Sequence, residues 1–204
     1  MISRLLVDND VLIKLAHWGL LDQLPASFGL QWHQVSALAS LQFRARRHDA
    51  KIFRSPEAAD HLSGFLALTG EIPPGDATDI SCLQGTVDLD AGEVELIAAC
   101  LADPNAILLS GDKRAMRALV GGCPPEIAAR LRGRVVCIEQ LLILIARRTS
   151  CAIVVQGVLT NREMDSAVRA VVAPGGCSDA QFFEGMDAYV EHLRAETDVL
   201  LLQT

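Results

Sequence analysis

Arg4-Leu5-Leu6-Val7-Asp8-Asn9-Asp10-Val11-Leu12-Ile13 joins a short apolar run to two carboxylates and then to renewed apolar spacing. Leu5-Leu6-Val7 reads as a strand buried on both faces. Val11, Leu12, Leu15, Leu20, Leu21 and Leu24 carry helical spacing, broken or bent near Gly19. Asp8 then falls at the C-terminal end of a strand, where a buried acid is costly without a cation. Capping of the next helix by Asp10 or Asn9 accounts for one polar side chain and leaves Asp8 without a role.

The same order returns at Ala106-Ile107-Leu108-Leu109-Ser110-Gly111-Asp112-Lys113-Arg114, again an apolar run, a tight turn, an acid and a basic helix, here ending at Gly121-Gly122. Between the two, Phe28 to Trp32 is expected as a second short strand. A helix then follows from Val35, Leu38, Ala39, Leu41 and Phe43 and turns basic at Arg44, Arg46, Arg47 and Lys51. Ser55-Pro56-Glu57 starts a helix that runs to Gly70, a weaker one covers residues 77–83, and Asp90 opens the clearest, stopped at Asp103-Pro104. Pro124-Pro125-Glu126 starts a short helix, Val135 to Cys137 is a short strand, and Glu139 to Arg148 a helix. Beyond Cys151, Arg162 to Val172 and Asp179 to about Val199 read as helices around Pro174-Gly175-Gly176.

Strands alternating with helices predict an α/β fold over residues 1–148, an open and mainly parallel sheet with helices on both faces, plus a C-terminal helical appendage over residues 149–204. Ligands of such a sheet gather outside the carboxyl ends of its strands. Asp88-Leu89-Asp90-Ala91-Gly92-Glu93-Val94-Glu95 brings further acids to a helix start. Taken singly, a capping box explains Asp90 with Glu93, and an N-cap explains Asp112. Separate caps do not explain why two strand ends and a helix start all present carboxylates to one sheet edge. Carboxylates brought together repel one another and favour a hard cation with oxygen ligands, Mg²⁺ or Mn²⁺. Glu93 and Glu95, two positions apart, cannot share a helix face, and Glu93 lies on the first turn, nearer the sheet edge.

In this order, Val-Asp-x-Asp-Val-Leu-Ile at 7–13, Leu-Asp-x-Gly-Glu-x-Glu-Leu-Ile at 89–97 and Leu-Leu-Ser-Gly-Asp-Lys-Arg at 108–114, the sequence resembles the PIN-domain family over residues 3–145. That family includes many toxin-antitoxin ribonucleases and is related to flap endonucleases. The resemblance implies a Mg²⁺- or Mn²⁺-dependent nuclease site, with Asp8, Glu93 and Asp112 as catalytic acids and Asp10 and Glu95 as further metal ligands. It also implies an antitoxin-like protein partner. The family usually places a glutamate on the helix after the second strand, whereas Val35-Ser36-Ala37-Leu38-Ala39-Ser40 holds no carboxylate. Either fewer acids suffice, or Asp10 or Glu95 compensates, or catalysis has been lost and the fold serves binding.

Arg44, Arg46 and Arg47, with Lys51 and Arg54, and a second group of Lys113, Arg114 and Arg117, are candidates to grip nucleic-acid phosphates, RNA being favoured over DNA. Trp18, Trp32 and His33 read as core or core-edge residues. The alternative enzyme is a phosphatase of the haloacid dehalogenase type, with Asp8 as nucleophile and Asp10 as acid/base, but Leu12 and the Gly92-Glu93-x-Glu95 segment do not fit it. The 204 residues carry a net charge of −7, of which residues 151–204 hold −5 through three Arg against eight acids. A near-neutral body does not exclude a nucleic-acid partner, and the acidic tail is expected to be a homodimer contact or a protein-docking surface. Six cysteines without CxxC spacing read as buried thiols, and no leader pattern or membrane-length apolar run is evident, so a cytoplasmic location is expected.

Overall fold

The computed structural model describes residues 1–197 and 200–203. Four parallel strands, β1 (Arg4–Val7), β2 (Val35–Ala37), β3 (Ala106–Leu109) and β4 (Val135–Val136), form one sheet in the order β2-β1-β3-β4. Leu5 registers with Val35 on one side and Ile107 on the other, and Leu109 with Val136. Leu5, Leu6 and Val7 and all four residues of β3 are buried, as strands covered on both faces must be. Each fully buried leucine among them contributes about 1.5–3 kcal/mol relative to exposure. The chain crosses from β1 out to β2 and then back past β1 to β3. The switch point, and the crevice it opens, therefore lies between β1 and β3.

The second strand departs from expectation. Residues 25–34 turn instead through α2 (Leu24–Ser27), a left-handed Gly29 and a 3-10 turn at Trp32–Gln34. In that turn the Gln34 side chain accepts from the Gln31 amide. The strand forms at Val35–Ala37, where buried Val35 and Ser36 can pair with β1, and the helix expected from Val35 starts at Ala39. The first helix breaks where its spacing indicates. α1 (Asn9–His17) ends before Gly19, whose φ of +64° suits glycine. Next come α3 (Ala39–Arg46), α4 (Pro56–Leu66) with its Ser55 cap, α5 (Ala77–Leu83) and α6 (Ala91–Ala102). α7 (Lys113–Gly121), α8 (Pro125–Arg130) and α9 (Ile138–Arg148) follow as the sequence indicates.

Residues beyond 150 add a helix that periodicity does not suggest. α10 (Cys151–Thr160) is rich in valine and contains Gly157, yet Ser150 caps it by accepting from the Ile153 amide. Gly157 lets α10 lie against α1's end, since a Cβ there would meet the Trp18 carbonyl. The helix expected from Arg162 is a 3-10 turn at Arg162–Met164 followed by α11 (Ser166–Val171), which Asp165 caps. α12 (Asp179–Thr197) packs on α9 and α7, and its expected end near Val199 lies outside the described residues. Leu200 O accepts from the Arg134 and Val135 amides, both at 3.1 Å, and Leu202 N donates to Val135 O at 2.8 Å. Residues 200–202 thus cover the outer edge of β4. Among the described residues no helix is long and apolar enough to cross a membrane.

Candidate carboxylate site at the sheet's C-terminal edge

Asp8 follows β1 directly, and its amide donates to Leu109 O at 2.9 Å, which fixes it beside the end of β3. It occupies the N-cap position of α1, but its side chain makes no capping bond. Asp90 and Glu93 form a reciprocal box at the start of α6, the Glu93 amide donating to Asp90 Oδ1 at 2.8 Å and the Asp90 amide to Glu93 Oε2 at 2.7 Å. Asp112 caps α7 by accepting from the Arg114 amide at 2.7 Å and the Ala115 amide at 3.3 Å. The local bonds that sequence reasoning offers for Asp90, Glu93 and Asp112 all form. Asp8 is left over.

All four acids, together with Asn9, Asp10, Leu38, Ser40 and Gly111, line one cleft of about 790 Å³. Beneath Asp8 and Glu93 lies an apolar floor of Leu96, Ile97, Met116 and Leu119. Loss of water over that floor pushes Asp8 up to about 6, helped by the charges of Asp10 and Asp90 and opposed by the amides of Asn9 and Asp10. Burial likewise pushes Glu93 up to about 7, the Asp90 amide opposing and the charges of Asp90, Asp112 and Asp8 adding to it. Both acids hold protons more tightly when folded. The stabilisation that these two carboxyls contribute to the metal-free protein is therefore fully present below about pH 4 and is lost as pH rises through about 6 to 7. Melting temperatures are expected to drop between pH 5 and 7.5, and the drop to shrink in an Asp8→Asn/Glu93→Gln double variant; an equal drop in both proteins would place the pH dependence elsewhere.

Asp10 also reaches the cleft, but Lys14 holds it at 2.5 Å, and the same ammonium meets Asp165 at 2.8 Å. Burial disfavours the Lys14 charge, and its two carboxylates more than restore it, raising its pKa. Gly111 permits this approach, because a Cβ there would overlap Asp10 Oδ2. Glu95 does not join the cluster and faces two neighbouring depressions. Ser40 lines the cleft from the first turn of α3, the helix from which the expected glutamate is missing. Asp90, read from sequence only as a cap, is the acid that the site adds. Among the described residues no three carboxylates are drawn to a common ligation point, and with Glu93 and Asp112 bonded to amides their side chains would have to turn to share an ion.

The basic candidates separate. Lys113 turns inward to Glu139, 2.5 Å away, and Arg117 to Glu196 at 2.6 Å, so neither ammonium nor guanidinium is presented to the cleft. Arg114 is exposed on a groove of about 340 Å³ that adjoins the cleft across Gly111 and Asp112. A further groove of about 620 Å³ adjoins it across Asp90 and Ala91. Arg44 pairs with Asp49 at 2.9 Å, while Arg46, the last residue of α3, and Arg47, its C-cap, lie exposed. Trp18 is core, 2% exposed, and Trp32 packs edge-on against Phe65. The chain matches no protein-family model, no curated protein and no solved structure.

Proposed function

We propose that this protein is a PIN-type, metal-dependent nuclease acting on RNA or DNA strands. The observation that carries the reading is Asp8, a desolvated carboxylate that caps nothing, set at the β1/β3 switch point among Asp90, Glu93 and Asp112. A cluster of oxygen donors suits Mg²⁺ or Mn²⁺, and Asn9, on the same cleft, keeps a buried amide oxygen without a partner. Asp8, Glu93 and Asp112 would hold the ion, with Asp90 adding negative charge beside them. When bound, such a cation stabilises charge on a phosphodiester and acidifies a water. Grooves adjoining the cleft on two of its walls suit a polymer better than a phosphate monoester, which favours this reading over the phosphatase.

The test exploits what caps tolerate. Asparagine caps a helix about as well as aspartate, and glutamine serves in a capping box. Asp112→Asn and Glu93→Gln therefore keep the local bonds and remove the charge. Expected is cleavage of single-stranded RNA or DNA that requires Mg²⁺ or Mn²⁺, stops with EDTA, and is lost in both variants, with the metal-free melting temperature little changed in Asp112→Asn and raised at neutral pH in Glu93→Gln, whose charge burial disfavours. Variants that cleave like wild type would reduce these acids to caps.

Ser40 in place of a carboxylate supports a second reading, a PIN fold that binds nucleic acid without cutting it. Strand binding with neither cleavage nor calorimetric Mn²⁺ uptake would select it.

A further inference from the structure

Apolar spacing groups Phe43 with buried Leu41, yet Phe43 is 61% exposed and is the one exposed phenylalanine of six. It stands three residues after Ser40, which lines the carboxylate cleft, and four before Arg47, the C-cap of α3, so the stripe of Ser40 and Phe43 along α3 leads on to Arg47 at the helix end. At 1.5 Å per residue, Phe43 sits about 4.5 Å and Arg47 about 10 Å beyond Ser40 along the helix axis. The Arg47 guanidinium lies over the Phe43 ring, 5.0 Å from its centroid, and the residue still keeps most of its surface in solvent.

Charge is concentrated in the same place. Residues 44–54 hold Arg44, Arg46, Arg47, Lys51 and Arg54 against Asp49 alone, a net +4, while the rest of the chain carries −11. Arg44 answers Asp49 and Arg54 bonds Asn161, but among the described residues the side chains of Arg46, Arg47 and Lys51 meet no acid. A solvated helix face requires neither an exposed aromatic ring nor so local a reversal of sign on an acidic protein.

We infer that α3 is a single-strand platform, on which a base beside the scissile phosphate stacks on Phe43 while Arg46, Arg47 and Lys51 hold the flanking phosphates. This rests on the nuclease reading for where the strand is cut, and only an unpaired strand offers its base faces to such a ring. The occupant is therefore single-stranded nucleic acid rather than duplex.

Binding is measured by fluorescence anisotropy with a labelled short single strand, the same strand carrying abasic positions, and a duplex of the same sequence. Phe43→Ala is expected to weaken the intact strand roughly 5- to 150-fold, to change the abasic strand little, and Phe43→Trp to restore binding. Arg47→Gln is expected to weaken both strands and to lower the slope of log affinity against log salt by about 0.7. Equal losses for intact and abasic strands, no loss at Phe43, preference for the duplex, or no strand binding at all would each overturn the platform. The nuclease reading fails separately. A wild-type protein that binds through Phe43 but neither cleaves nor takes up Mn²⁺ keeps the platform and loses the chemistry, whereas cleavage that ignores Phe43 keeps the chemistry alone.

Discussion

Asp8→Asn is expected to reduce metal-dependent cleavage by at least about 10²–10³-fold and, at the same time, to make the metal-free protein more stable than wild type. The two effects share one cause. Asp8 is raised from 3.8 to about 6 because its charge is held over an apolar floor among other acids, so ionising it at neutral pH works against the fold by about 2–3 kcal/mol. Asparagine keeps the shape without the charge. For a chain of this size that corresponds to a rise of roughly 4–10 °C in melting temperature. Added Mn²⁺ should stabilise wild type and leave the variant unmoved, since an ion stabilises only the state that binds it. Scanning fluorimetry of both proteins, with and without Mn²⁺, reads all of this; a destabilised variant would mean that Asp8 makes a structural bond after all.

Lys113→Ala is expected to cost about 3–5 kcal/mol in chemical denaturation. Glu139 is fully buried, and one of its oxygens already lacks a partner, so losing the ammonium 2.5 Å from the other leaves a buried carboxylate without its countercharge. The reverse deletion is milder. Lys113 is 26% exposed on its side chain and can turn to water, so Glu139→Gln should cost about 1 kcal/mol. Replacing both by apolar residues of similar size should come close to wild type, as buried ion pairs often do. Equal costs for the two single changes would show that the pair is less buried than its geometry indicates.

Lys113 also marks where sequence reading stops. Next to Asp112 at a helix start it looks like a phosphate ligand, because nothing local reveals that Glu139, 26 positions on, needs it. Strand ends and helix caps were legible, since they depend on neighbours along the chain: Leu5-Leu6-Val7 before Asp8, Asp90 with Glu93, Asp112 with Lys113 and Arg114. Of the four strands, three lie where their apolar runs put them, and the exception, β2, depends on pairing with β1. The cleft's acids were legible as a convergence on one edge, but not Asp90's share in it or Asp10's capture by Lys14. Phe43 was misplaced because its spacing suits a buried stripe, whereas α3 packs against α4 with Leu41 and Ala45 buried and Phe43 turned outward.

The Lys14 to Asp165 bond spans 151 positions. During synthesis at about 5–20 residues per second, Lys14 therefore emerges roughly 8–30 s before its second carboxylate. Throughout that interval Asp8 and Asp10 can be present, while the groove wall formed by Met164, Asp165 and Ser166 does not yet exist. The backbone partner of β4, which Leu200 and Leu202 provide, emerges later still. Translation thus sets an order of assembly in which the acids come first and the surface that surrounds them is completed last, as the nascent chain nears the end of these 204 residues.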